Sequence, residues 1–261
     1  MTANQPANQS AKSQVKGAHM VSSGYIGAWA DKKNVIAVLD LEEGIGYHKS
    51  YKKATVVNYV YEPALLNYDL EGEYARIESA GIRVIRMMRE GLELTVEQRS
   101  QLIEFLGMHR YRGRYADRAE VRVPAVAVMT DGAARDIELR LGDMTLLTRD
   151  REPGPKLTEL DLEQREWTVW EVDDIPTGDG AVMLWGSSAD SVAVVTFPLS
   201  PTQLLLIGDE LPKGVPFNKR LEMNCRRWIV GKTGSLNFKQ AAVIAAERAK
   251  ERAESPHAQY R

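Results

Sequence analysis

The sequence contains a single cysteine, Cys225, among 261 residues. One thiol cannot build an intramolecular disulfide framework or a zinc site of several thiolates, and such sparse cysteine usage is typical of a reducing compartment. Long apolar runs are also missing, since no stretch reaches the roughly 18 to 20 residues that span a bilayer. Residues 1–17 lack the apolar core of a signal peptide. We therefore expect a soluble, cytoplasmic protein without a membrane partner.

The sequence also lacks an excess of positive or of negative charge. Lys and Arg number 34 against 36 Asp and Glu, so a nucleic-acid partner would need a local patch. The sequence signatures of P-loop NTPases, zinc metalloproteases, serine hydrolases and paired-cysteine sites do not occur. The histidines are too scattered for local spacing to predict a metal site, and no cofactor is indicated. These histidines are His19, His48, His109 and His257.

Two helices are predicted in the first half of the chain. Over residues 72–91 apolar side chains recur every three or four positions, which predicts a helix with one apolar face. Thr95, with Gln98 three residues later, matches a capping box and predicts the start of a second helix. Because the joint between them is short, we expect an antiparallel helix hairpin from residue 72 to about 116.

Short apolar and β-branched runs predict the strands. They lie at residues 34–41, 167–172, 181–185, 192–196 and 203–207. The later four favour a small, mostly antiparallel sheet. A helix carrying Leu221, Asn224, Cys225 and Trp228 should follow Pro216, and residues 236–254 predict a C-terminal helix. The predicted class is α+β, with the helix hairpin packed beside the sheet.

The domain organisation is predicted from composition. Residues 1–17 are polar and should form a disordered N-terminal tail. Residues 18–261 are long enough to bury a substantial core as a single α+β domain. Pro153-Gly154-Pro155 is the best candidate for an internal boundary near residues 153–155, because this tripeptide interrupts both helices and strands.

A basic and aromatic segment, residues 108–115, ends the second predicted helix. Its arginines match phosphate geometry and its tyrosines can stack on bases, so a local Arg/Tyr patch could bind a phosphate or nucleic-acid ligand. The alternative is that these cations complement a helix C-terminus and form an exposed face. The short segment favours this alternative, because a groove needs more residues.

Three separated segments carry a family resemblance. They are His19-Met20-Val21-Ser22 with the aromatic segment at residues 25–30, Thr177-Gly178-Asp179-Gly180-Ala181-Val182, and Phe197-Pro198-Leu199-Ser200-Pro201. They resemble the bacterial family known as domain of unknown function 4238, whose members open with His-x-(Val/Ile)-Pro and carry a late (Ser/Thr)-Ser-Asp-x-Pro-Val element followed by Pro-Leu-Ser-Pro. Ser22 and Ala181 stand where the family has proline. No known activity comes with the resemblance.

The resemblance implies a set of candidate site residues. They are His19, Asp179 and Asn224 as catalytic candidates, Arg110 or Arg112 as the anion-binding arginine, and Glu78 within the first long helix. His19 can serve as base, acid or ligand, or it can cap the first helix. Asp179 lies between glycines that can present its carboxylate, or it can hold an Asx turn.

Two classes of function stay open. The first is a hydrolase acting on a phosphate-containing or nucleic-acid substrate, for which the resemblance implies a context of phage defence. The second is a non-catalytic binding protein whose polar motif residues hold turns. For the first we expect His19 and Asp179 to approach each other beside Arg110 or Arg112. As surface positions, both should tolerate substitution within about 1 kcal/mol.

Overall fold

The computed structural model describes residues 17–58, 68–148, 155–188, 191–211 and 214–254. Its α-helices are α1 (Ser23–Ile26), α2 (Leu70–Arg89), α3 (Val96–Gly113), α4 (Leu141–Thr148), α5 (Phe217–Asn224) and α6 (Lys239–Glu254). Its strands are β1 (Gly17–His19), β2 (Val35–Asp40), β3 (Ile45–Ser50), β4 (Val56–Asn58), β5 (Val123–Val128), β6 (Ala134–Leu139), β7 (Trp167–Glu171), β8 (Thr177–Gly178), β9 (Met183–Ser188), β10 (Ser191–Ser200), β11 (Gln203–Gly208) and β12 (Trp228–Gly231). This mixture confirms the α+β class.

Helices α2 and α3 form the predicted hairpin. The Thr95 side chain accepts a hydrogen bond from the N–H of Gln98, and the Gln98 side chain accepts one from the N–H of Thr95, so the capping box is present. The helices meet closely where Gly81 faces Phe105, since a Cβ at Gly81 would lie 2.3 Å from the Cβ of Phe105. The apolar periodicity therefore identified the packed face correctly.

The strands form antiparallel sheets. One four-stranded sheet has the order β7-β11-β10-β9, and each of its strands overlaps one of the four later predicted runs. Strand β9 begins at Met183, two residues later than predicted. A second four-stranded sheet has the order β3-β2-β12-β8, in which β2 pairs with the strand that follows it. Two-stranded sheets pair β1 with β4 and β5 with β6. The predicted sheet beside the helix hairpin is confirmed.

The second sheet corrects the prediction for the late helix. Helix α5 ends at Asn224, Cys225 is extended with φ −65° and ψ 139°, and Trp228 belongs to β12. The backbone N–H groups of residues 226–228 donate to the carboxylate of Asp179 instead of continuing the helix. A tertiary contact therefore ends α5 earlier than the apolar pattern predicts.

The main core lies between the helix hairpin and the sheets. Tyr25 stacks on Phe197 at 4.7 Å between ring centroids, and Phe105 meets the same Phe197 edge-on at 6.2 Å. Arg89, near the end of α2, donates through Nε to the carbonyl of Leu199 at 2.6 Å. These contacts fix α1, α2, α3 and β10 relative to one another.

Some expectations fall on other parts of the chain. The predicted N-terminal tail lies outside the described residues except for Gly17, which begins β1. Residues 153 and 154 of the candidate boundary also lie outside them, and the domain division stays a prediction. In the part of the chain that the structure describes, no helix has the length and apolar character required to cross a membrane.

Candidate functional site

Asp179 occupies the centre of a tight junction between two distant parts of the chain. It belongs to the glycine turn, residues 178–180, whose first residue is the last residue of β8. It faces the connection of residues 225–227 between α5 and β12. Its Oδ1 accepts from the N–H of Arg226 at 2.6 Å, and its Oδ2 accepts from the N–H groups of Arg227 at 2.7 Å and Trp228 at 2.8 Å. The residue is only 1% exposed. The expectation of a surface position is therefore wrong for Asp179.

Asn224 and Arg248 secure the same junction. Asn224 donates through Nδ2 to the carbonyls of Gly180 at 2.6 Å and Val182 at 3.3 Å. Arg248 of α6 donates through Nη1 to the carbonyl of Arg226 at 2.7 Å. Both side chains satisfy backbone carbonyls that packing would otherwise leave without partners.

The C-terminal end of α3 lies against the glycine turn. Nε2 of His109 lies 3.0 Å from the carbonyl oxygen of Gly178, which makes Nε2–H the donor. Gly113 approaches so closely that a Cβ there would lie 1.8 Å from the backbone oxygen of Asp179. Tyr25 donates to the carbonyl of Pro198 at 2.7 Å and accepts from the hydroxyl of Thr177 at 2.5 Å.

Burial shifts the pKa values of the ionisable groups in this junction. Burial lowers the pKa of His109 to about 4, although its hydrogen bond to Gly178 acts in the opposite direction. Burial raises the pKa of Asp179 to about 6 against the effect of its three backbone N–H partners. Burial also raises the pKa of the Cys225 thiol. The imidazole and the thiol are therefore neutral at pH 7, and the carboxylate is ionised.

We expect the pH dependence of stability to report on His109. Its folded pKa of about 4 lies below the ordinary 6.5, so its contribution is fully present above pH 6.5 and is lost as the pH falls towards 4. We compare the free energy of unfolding of wild type with that of His109→Gln. The difference, wild type minus variant, should be about 2–3 kcal/mol smaller at about pH 4.5 than at about pH 7.5. Urea unfolding at both pH values measures it. The raised pKa of Asp179 also affects stability, but Asp179 is present in both proteins and its effect cancels in the difference. A difference in unfolding free energy that does not change with pH would contradict a buried, neutral imidazole.

Arg112 is committed to a separate ion pair. Its Nη1 lies 2.6 Å from Oε1 of Glu78, and its guanidinium lies over the ring of Tyr74 at 5.3 Å. Arg112 is 5% exposed. The structure therefore joins the two family-like residues of the helix hairpin to each other. Arg110 instead donates to the carbonyl of Pro155 at 3.2 Å.

The basic and aromatic segment at residues 108–115 is largely internal. His109, Tyr111 and Arg112 are all buried, and Tyr111 donates to the carbonyl of Thr145. Buried side chains cannot form the solvent-facing Arg/Tyr patch that a phosphate or nucleic-acid ligand would contact. The exposed face proposed as the alternative is wrong for the same three residues.

His19 lies in different surroundings. It pairs with Val56 between β1 and β4, and its Nε2 lies 3.1 Å from the carbonyl oxygen of Lys52. The Asp179 carboxylate instead accepts hydrogen bonds from residues 226–228, so the side chains of His19 and Asp179 share no hydrogen-bond partner among the described residues. Among the described residues, no three His, Cys, Asp or Glu side chains are grouped to hold a metal ion.

The structure thus brings Asp179 and Asn224 together and adds residues that the sequence did not single out as site candidates. His109 and Tyr25 join this junction through Gly178 and Thr177. A signal for His109 existed, because it lies within the basic and aromatic segment on α3. The sequence offered no sign that its imidazole turns inward.

Residues 18–138 match the model of a family described as Protein of unknown function (DUF4238). That range contains His19, Glu78 and Arg112 and ends before the glycine turn. No curated protein and no solved structure matches the chain.

Proposed function

The chain belongs to the DUF4238 family of proteins of unknown function, and we propose that it is a non-catalytic binding protein whose signature polar residues hold turns. The observation that carries this proposal is the environment of Asp179. An ionised carboxylate has about four acceptor positions, and backbone N–H groups occupy three of them. A general base must instead reach a substrate proton directly or through one water.

The other family-like residues support the same proposal. The side-chain amide of Asn224 donates hydrogen bonds to the carbonyls of Gly180 and Val182. The guanidinium of Arg112 is buried against Glu78. Each polar group thus satisfies another group of the protein: Asn224 joins the end of α5 to the glycine turn, and Arg112 joins α3 to α2.

A hydrolase acting on a phosphate-containing or nucleic-acid substrate, in the context of phage defence, is the second candidate. The perturbed pKa values of His109 and Asp179 favour it, since such shifts cluster at functional sites. Buried structural networks perturb pKa values in the same way. This candidate requires a substrate path to Asp179, which is 1% exposed.

A hydrolysis assay tests the choice between the two candidates. Purified wild type is incubated with labelled single-stranded DNA, labelled RNA and bis-p-nitrophenyl phosphate, each with EDTA or with Mg²⁺ and Mn²⁺. We expect no product above that of a heat-denatured sample. Turnover that persists through purification and is lost in folded His19→Ala or His109→Gln protein would overturn the non-catalytic proposal, because loss of turnover in a folded variant assigns the chemistry to this chain.

A further inference from the structure

Five lysines cluster at one end of the β3-β2-β12-β8 sheet, and we name them the lysine surface. They are Lys32, Lys33, Lys49, Lys52 and Lys53. All five are exposed, and within the described residues none of them forms an ion pair. The chain as a whole has a formal net charge of −2. The lysine surface is therefore a local positive region on a nearly neutral molecule.

Backbone geometry brings the two lysine-bearing turns together. The first turn spans residues 31–34 and the second spans residues 50–54, and the N–H of Tyr51 donates to the carbonyl of Asn34 at 3.1 Å. Within the second turn, the N–H of Lys53 donates to the carbonyl of Ser50 at 2.9 Å. Lys49 lies on β3 next to this turn. Because these bonds fix the backbone, the lysine surface is built on ordered turns.

Aromatic rings alternate with these lysines. The ammonium of Lys49 lies 5.8 Å from the ring centroid of Tyr47, and that of Lys52 lies 5.9 Å from the ring centroid of Tyr51. Both rings are half-buried, so each keeps part of its surface in solvent. Interleaved cations and aromatic rings are the combination by which proteins bind single-stranded nucleic acids, through phosphate contacts and base stacking.

The acidic side chain of Asp31 borders the lysine surface. The Asp31 carboxylate accepts from the N–H groups of Lys33 at 2.8 Å and Val35 at 3.0 Å. These bonds hold Asp31 against its own turn, where it shapes the backbone that presents Lys32 and Lys33. Its charge reduces the local positive potential but leaves the five ammonium groups in solvent.

We propose that the lysine surface binds single-stranded nucleic acid, with the ammonium groups on the phosphates and the rings of Tyr47 and Tyr51 beside the bases. The inference rests on the proposed function of a binding protein and names its ligand class. It also brings His19 beside the ligand, because this family-like histidine contacts the carbonyl of Lys52. The competing explanation is protective, since lysines on an edge strand such as β3 prevent pairing with other chains.

Fluorescence anisotropy with labelled oligothymidylate of about 20 nucleotides tests this proposal on the full chain. Lys52→Gln/Lys53→Gln should bind at least about tenfold more weakly than wild type, and the slope of log K against log salt should fall by about 1.4, or about 0.7 per lysine. The control, Lys156→Gln/Lys219→Gln, removes the same charge from exposed ion pairs elsewhere. It should bind within about twofold of wild type, because those lysines lie outside the lysine surface.

The outcomes separate this inference from the proposed function. If wild type does not bind the oligonucleotide, or if both double variants bind it equally weakly, the proposal that the lysine surface binds nucleic acid is wrong. The explanation that these lysines prevent pairing with other chains would then stand. Binding to phosphatidylserine vesicles without binding to the oligonucleotide would also overturn it, in favour of a membrane. Cleavage of the oligonucleotide by wild type would overturn the non-catalytic function, while lysine-dependent binding would still support the lysine surface.

Discussion

Asp179→Asn is expected to destabilise the protein by about 3–5 kcal/mol. The asparagine oxygen can replace only one carboxylate oxygen, so its amide group must face a backbone N–H of the connection at residues 225–227. Two buried donors then oppose each other, and each unsatisfied donor costs about 1–3 kcal/mol. Charge-assisted hydrogen bonds to the carboxylate are lost as well. Urea unfolding at about pH 7.5 measures the change.

The matched control for this variant is Asp173→Asn. Asp173 precedes the glycine turn by a few residues and is exposed, so the same chemical change should alter stability by less than about 0.5 kcal/mol. If Asp179→Asn also remains within about 1 kcal/mol of wild type, the carboxylate does not hold the junction. The structural role on which the non-catalytic proposal depends would then be lost.

Gly113→Ala is expected to destabilise the protein by about 2–4 kcal/mol, although alanine favours helices more than glycine does. The new methyl group would lie 1.8 Å from the backbone oxygen of Asp179, a distance that no contact between heavy atoms tolerates. Either α3 or the glycine turn must move, and the hydrogen bond from His109 to Gly178 would lengthen with it. Thermal and urea unfolding both measure this loss.

A second glycine of the same helix supplies the control. Gly107 lies within α3, and a Cβ there would meet no atom within 4 Å. Gly107→Ala should therefore stabilise the protein by about 0.5–1 kcal/mol through helix propensity alone. Opposite signs at Gly107 and Gly113 would establish that contact with the glycine turn, and not helix formation, sets the requirement for glycine. The same sign at both positions would contradict this close approach.

The elements that sequence reasoning identified are those with strong local signals. The hairpin of α2 and α3 follows from three- and four-residue apolar spacing and from the capping box at Thr95 and Gln98, both of which operate within a few residues. The long strands of the β7-β11-β10-β9 sheet are similarly marked by continuous apolar runs. Strand β8 has only two residues and β12 only four, which is too short for a periodic pattern.

In the candidate site, too, the sequence indicates some features and only the tertiary structure decides others. The resemblance selected Asp179 and Asn224, and the structure places them at one junction. Whether Asp179 would face solvent or the backbone of residues 226–228 depended on contacts across nearly fifty positions of the chain. His109 and Arg112 lie in a segment whose composition favours a surface, yet packing of α3 buries both. Local spacing decides where the long helices and strands form. Burial and hydrogen bonding between distant segments decide where α5 ends and which polar groups remain available to a ligand.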